Sequence, residues 1–187
     1  GDAGTKIHFS YVNQTTGNVR YRNLDTSTDT LSAVVTAVAG LTVFGGVSLT
    51  KSRNASLYLY HFPPSNGNSH FMRSVDGGAT WGDLTKNTNG SPAHTYKLSP
   101  GMEADQSDIY AVTADGVGNF TLCWYDSSLN TWTNTTIEAG VTANASGALF
   151  EIVTNGTISI TVYMKGTNCC SLWPDKPSRA YKIAKTS

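Results

Sequence analysis

Ser69–Trp81 reads Ser-His-Phe-Met-Arg-Ser-Val-Asp-Gly-Gly-Ala-Thr-Trp. A run that closes on Asp-Gly-Gly between apolar segments is a hairpin signal, because glycine takes a positive φ without steric penalty. The Ser74 and Asp76 side chains suit hydrogen bonds to the turn's own backbone. Trp81, just past the turn, supplies a large apolar cover. The stretch therefore predicts a rigid, capped turn in which Asp76 and Trp81 are structural.

The octapeptide that ends in Asp76 recurs. Asn18–Asp25 is NVRYRNLD, Ser69–Asp76 is SHFMRSVD, Asn119–Asp126 is NFTLCWYD and Asn168–Asp175 is NCCSLWPD, so the closing Asp returns every 49–51 positions. An apolar run precedes each copy: Ile7–Val12, Leu57–Phe62, Ile109–Thr113 and Ile158–Met164. Trp81, Trp132 and Tyr181 follow three of the copies, and Leu31 follows the first. The runs alternate, are rich in β-branched and aromatic residues, and end in Gly, Asn, Pro or Ser clusters. Further strands are expected at Leu41–Leu49, His94–Leu98 and Leu149–Val153. Thr30–Val38 is too rich in Val and Thr for a helix. The expected fold is all-β and β-propeller-like: one domain over 1–187, with four repeats of about 50 residues (1–46, 47–98, 99–147, 148–187). Each repeat is expected to hold three to four antiparallel strands. The last run, Ala180–Ala184, is expected beside the N-terminal region, closing a ring.

Ser74–Trp81 fits Ser-x-Asp-x-Gly-x-Thr-Trp and resembles the Asp-box of sialidase-like β-propellers. That resemblance implies that Ser74, Asp76, Gly78 and Trp81 build a peripheral turn away from any ligand. The rhythm of aromatic strand, short turn, second strand, Asp turn and Trp also resembles the blades of fungal and bacterial fucose-binding propeller lectins. The lectin resemblance implies sugar sites between blades. The chain departs from it in three ways: no Arg in the first strands, no Glu in any octapeptide, and four repeats rather than six.

Charged residues make up only 14% of the 187, and 13 Lys+Arg balance 13 Asp+Glu. That balance argues against a nucleic-acid partner held by bulk charge. No stretch reaches the ~18 apolar residues of a membrane helix, since Gly40, Gly45 and Gly46 interrupt Val34–Leu49. No membrane insertion is expected. The chain opens at Gly1 without a signal peptide, which predicts a mature or trimmed product. Asn13, Asn54, Asn119, Asn134, Asn144 and Asn155 each start an Asn-x-Ser/Thr sequon, so the expectation is a glycosylated, extracellular protein. The cysteines number three, and an odd count leaves one unpaired or paired between chains. Cys123 is expected to bridge Cys169 or Cys170; a vicinal Cys169–Cys170 disulfide, or thiols buried as small apolar groups, are the alternatives.

No catalytic constellation stands out. The arginines, glutamates and tyrosines lack the spacing of a sialidase site, and Glu103, Asp105 and Asp108 read as a solvated loop rather than a carboxylate pair. The four histidines are dispersed, so no metal site and no cofactor are expected. Period-2 alternation places the fifth octapeptide residues (Arg22, Arg73, Cys123, Leu172) on one face and the sixth (Asn23, Ser74, Trp124, Trp173) on the other. Arg22 or Arg73 with Trp124 or Trp173 are thus the candidate sugar-binding residues: an aromatic surface for C–H groups beside donors for hydroxyls. The leading expectation is a non-enzymatic, secreted, lectin-like protein with glycans or glycoproteins as partners and self-association between copies. A structural or surface module of a coat, cell or virus is the alternative, and a sialidase-like glycoside hydrolase is the second.

Overall fold

A computed structural model describes residues 4–41, 47–61, 70–84, 97–100, 108–114, 120–138, 149–154, 159–165 and 179–184. Among them there is no helix, and every regular element is a β-strand. The strands form four antiparallel sheets that follow chain order. The first holds β1 (Lys6–Asn13), β2 (Asn18–Asp25), β3 (Thr30–Leu31) and β4 (Val35–Val38), with β3 and β4 both paired to β2. The second runs β5 (Val47–Lys51), β6 (Leu57–His61), β7 (His70–Ser74), β8 (Gly82–Asp83). The third runs β9 (Lys97–Pro100), β10 (Ile109–Ala114), β11 (Phe120–Asp126), β12 (Thr131–Glu138). The fourth runs β13 (Leu149–Thr154), β14 (Ser159–Lys165), β15 (Arg179–Ala184).

The first three octapeptides fall on β2, β7 and β11, each paired with the strand made by the preceding apolar run. The fourth, Asn168–Asp175, lies outside the described residues, as do parts of the expected strands Leu41–Leu49 and His94–Leu98. One expectation is overturned. Among the described residues the run 180–184 does not pair with the N-terminal strand; it lies in β15, with Val162 opposite Tyr181 and Ile160 opposite Ile183. A partner some twenty residues back is entropically cheaper to reach than one across the whole chain.

The cores lie between sheets. Val19, Ala37 and Leu41 of the first sheet region pack with Leu59 and Met72 of the second. On the other side of the second sheet, Tyr58, Tyr60 and Phe71 pack with Leu98, Ile109, Ala111, Cys123 and Tyr125 of the third. All five residues of β6 are therefore buried, which is why Leu57–His61 reads as a continuous apolar and aromatic run rather than an alternating one. Tyr58 meets Tyr125 edge to face at 5.9 Å, and Trp132 lies 4.5 Å from Phe71 and 5.2 Å from Tyr125, ring centre to ring centre. β5 also lies against β1 and β9, and β9 against β13.

The sheets share one orientation along this series, and it corrects the alignment of the repeats. Arg73 lies on the Tyr58 face of the second sheet, toward the third. Cys123 faces back from the third sheet onto the same interface. The two fifth-position residues thus oppose one another instead of forming one column. Aligning Thr30-Leu31, Thr80-Trp81 and Thr131-Trp132 restores consistency. Asn23, Arg73 and Trp124 then become equivalent, Asn23 on the face turned toward the second sheet and the other two on the face directed away from the preceding sheet. The closing Asp misleads because the turns after β2, β7 and β11 differ in length: Asp25 and Asp126 end their strands, whereas Asp76 lies two residues past the end of β7.

Leu59 is fully buried between the first two sheets. Leu59→Ala is expected to cost about 2–5 kcal/mol. Val75→Ala, at an exposed turn position, should stay within about 0.5 kcal/mol. Chemical-denaturation midpoints compare the two.

Candidate functional site

The turn after β7 is built as the sequence predicts. Ser74 Oγ donates to Asp76 Oδ1 at 2.7 Å and accepts from the Gly78 amide at 2.8 Å. The Thr80 amide donates to Asp76 Oδ1 at 2.9 Å and its hydroxyl to Oδ2 at 2.5 Å. Trp81 Nε1 donates to the Gly78 carbonyl at 3.2 Å. These bonds favour the ionised carboxylate, and Thr80 above all holds Asp76 far below the usual carboxylate range.

The turn's docking partner is a residue that no motif singled out. The Tyr21 ring, from β2, lies 5.4 Å from Trp81. The Tyr21 hydroxyl donates to the Gly77 carbonyl at 2.9 Å. With its one proton committed there, it accepts from His8 Nδ1 at 2.6 Å and from Asn23 Nδ2 at 3.4 Å. This assigns the Nδ1–H tautomer to His8. A Cβ at Gly78 would collide with Tyr21 Cε1, and the φ there is +95°. The second glycine is thus required twice, by the turn and by the ring that closes on it. Burial, with Lys6 adding to it, pushes the His8 pKa down.

A second cluster occupies the interface of the second and third sheets. The half-buried Arg73 guanidinium lies 5.6 Å from the centre of the Tyr58 ring, a cation–π contact. Its Nη2 donates to Ser56 Oγ at 3.4 Å, and its Nε is buried without a partner. Tyr125 donates from its hydroxyl to Asn130 Oδ1 at 2.8 Å. Burial raises the Tyr125 pKa; the Arg73 charge opposes that, while Asp108 and Asp126 reinforce it. Three charges therefore act on this one hydroxyl. Buried Asp108, which the sequence read as part of a solvated loop, accepts from Trp124 Nε1 at 2.9 Å and from the Ser127 amide at 2.7 Å.

The structure does not bring Arg73 and Trp124 together. Trp124 pairs with Tyr110 on the side of β11 opposite to Cys123 and Tyr125, so the third sheet separates the two residues. Arg22 lies on the outer face of the first sheet, its Nε donating to the Ser32 carbonyl at 2.9 Å. Trp173 lies outside the described residues. So do Cys169 and Cys170, whereas Cys123 is a buried thiol that faces the second sheet. The bridge reading therefore falls outside the described residues. Among the sequons, Asn13 Oδ1 accepts from the Thr15 and Thr16 amides. Asn54 Oδ1 accepts from Ser52 Oγ and the Ser56 amide. These bonds use the oxygen and leave the nitrogen that a glycan would join. Asn134 is exposed on β12, and Asn119, Asn144 and Asn155 lie outside the described residues. Among the described residues no group of three His, Cys, Asp or Glu side chains is placed to hold a metal.

No family model matches the sequence, and no curated protein matches it.

Gly78→Ala is expected to destabilise by roughly 2–4 kcal/mol, from the clash with Tyr21 and the positive φ, read as a fall in thermal midpoint. Acidification gives a second check. The folded state resists protonating His8, so its contribution is fully present above the unfolded value near 6.5 and declines as pH falls below it. Stability measured between about pH 7 and 5 should therefore fall, and His8→Gln should flatten that slope.

Proposed function

We propose that the four sheets are blades of a propeller-like domain and that the protein binds carbohydrate in shallow sites between neighbouring blades. The shared orientation of the first three sheets, each turning an equivalent face to the next, supports the blade reading.

The observation that carries the sugar reading is the half-buried Arg73 guanidinium poised over Tyr58. It sits with the hydroxyls of Ser56 and Tyr125 and the amide of Asn130, a set of donors and acceptors that matches sugar hydroxyls. Arg73 supplies five N–H donors in a fixed fork, and Ser56 and Tyr125 engage only part of them. Asp108 and Asp126 act on the same place and offset its charge. The balance suits a neutral, polyhydroxylated ligand better than an anionic one. Trp132, partly buried beside the cluster, adds the apolar surface against which C–H groups of a sugar ring rest. In this proposal Arg73 is the anchor, and Tyr58 positions it through the cation–π contact.

A glycan array probed with the folded protein is expected to show selective binding to a class of neutral glycans, inhibited by the free sugar. Arg73→Gln should weaken that binding roughly 10- to 100-fold, the worth of a hydrogen bond to a charged group, with the thermal midpoint little changed. An array blank with a well-folded sample overturns the reading.

A further inference from the structure

The outer face of the first sheet sets two arginines among apolar side chains. Val19 and Tyr21 of β2 point to the second sheet, so Arg20, Arg22 and Leu24 point the other way. Register fixes their neighbours. Ile7, Leu24 and Leu31 form one row across β1, β2 and β3. Phe9 stands opposite Arg22, and Arg20 lies between Tyr11 and Thr36. Among the described residues, Ile7 is 55% exposed, Leu31 51%, Val34 41% and Tyr11 38%. An exposed apolar sheet face of this kind marks an interaction surface.

The charge on the face decides what fits there. No paired position on it is a carboxylate. Arg22 Nε donates to the Ser32 carbonyl, and Arg20 Nε is buried without a hydrogen-bond partner. Among the described residues neither guanidinium has an ion-pair partner. Covering two such cations with a neutral or basic surface would cost their hydration and return nothing. A second copy of this same face would oppose like charges. A carboxylate instead meets the planar end of a guanidinium with two parallel hydrogen bonds. Arg20 and Arg22 are two residues apart on one strand, so their side chains start about 7 Å apart. Same-face side chains of an extended peptide repeat at that same step. The apolar rows separate a peptide from other anions. Ile7, Leu24, Leu31 and Val34 are aliphatic, and a partner gains by covering them only with apolar groups of its own. An anionic glycan or a nucleic-acid strand would satisfy the arginines and leave the aliphatic rows uncovered.

We propose that the outer face of the first sheet binds an extended acidic segment of a partner protein. Carboxylates at alternate positions of that segment pair with Arg20 and Arg22, and its flanking apolar side chains cover Ile7, Tyr11 and Leu31. The surface involves no residue of the Arg73 cluster and stands whether or not that cluster binds sugar.

A synthetic peptide, Leu-Thr-Glu-Thr-Glu-Thr-Leu with blocked ends, tests it. The peptide places two carboxylates and two leucines on one face in either chain direction. Titrated into the isotope-labelled full chain, it is expected to shift amide resonances of β1, β2 and β3 saturably. The same peptide with glutamine for glutamate should bind about tenfold more weakly or worse, the worth of a hydrogen bond to a charged group. Arg20→Gln and, separately, Arg22→Gln should weaken the glutamate peptide by a similar factor, with the thermal midpoint held as the check on folding. Leu31→Ser should weaken it as well. Absence of saturable shifts, or shifts that map elsewhere, overturns the proposal. So does a glutamine peptide that binds equally, or folded arginine variants that bind like wild type. An anionic oligosaccharide or an oligothymidylate that shifts the same resonances more tightly than the peptide, unaffected by Leu31→Ser, overturns it too.

Discussion

The second sheet has no solvent face, and the described structure depends on that constraint. Its central strand must offer good packing in two directions at once. Leu57 and Leu59 serve the first sheet, and Tyr58 and Tyr60 serve the third. Leucine serves a largely aliphatic contact, while the tyrosines build an aromatic one. A one-residue slip of β6 would exchange these two sets and spoil both interfaces together. The register of Leu57–His61 against β5 and β7 thereby fixes the neighbours of two further sheets.

The turn after β7 works between sheets as well as within one. Its internal bonds, from Ser74, Asp76, Thr80 and Trp81, hold the loop backbone in one shape. That shape offers the Gly77 carbonyl and the bare Cα of Gly78 to Tyr21. A rigid turn is needed because a hydrogen bond from a ring hydroxyl to a loop carbonyl contributes only if the loop has little freedom left to lose. The motif is thus a socket, and the first sheet supplies the plug.

Much of this was legible in the sequence. The strands came from alternation and turn residues, and the turn geometry after β7 from Ser-x-Asp-x-Gly-x-Thr-Trp itself, since local hydrogen bonds depend only on local spacing. What the sequence obscured was the relation between repeats. Asp is a conspicuous anchor, but it sits at a turn, where length varies. The Thr-aromatic pair after the turn keeps its step with the sheets because it enters the packed interface, as Trp132 does. The error of one residue was enough to put Arg73 and Trp124 in one imagined pocket, since one residue along a strand reverses the face. The Tyr21 socket and the burial of Asp108 were invisible for another reason. Both rest on contacts between residues far apart in the chain or aimed by an unread loop, and neither tyrosine nor aspartate announces its partner.

Cys123 shows no exposure to solvent, between Tyr58 and Tyr125 at the heart of the second interface. A thiol in that place is a native clock for the parting of two sheets. A small alkylating reagent reaches it only in molecules whose sheets have momentarily separated, so its labelling rate, set against that of an exposed thiol, measures the free energy of opening. The chain therefore carries an internal gauge of how cooperatively its sheets hold together, with no foreign probe introduced into its core.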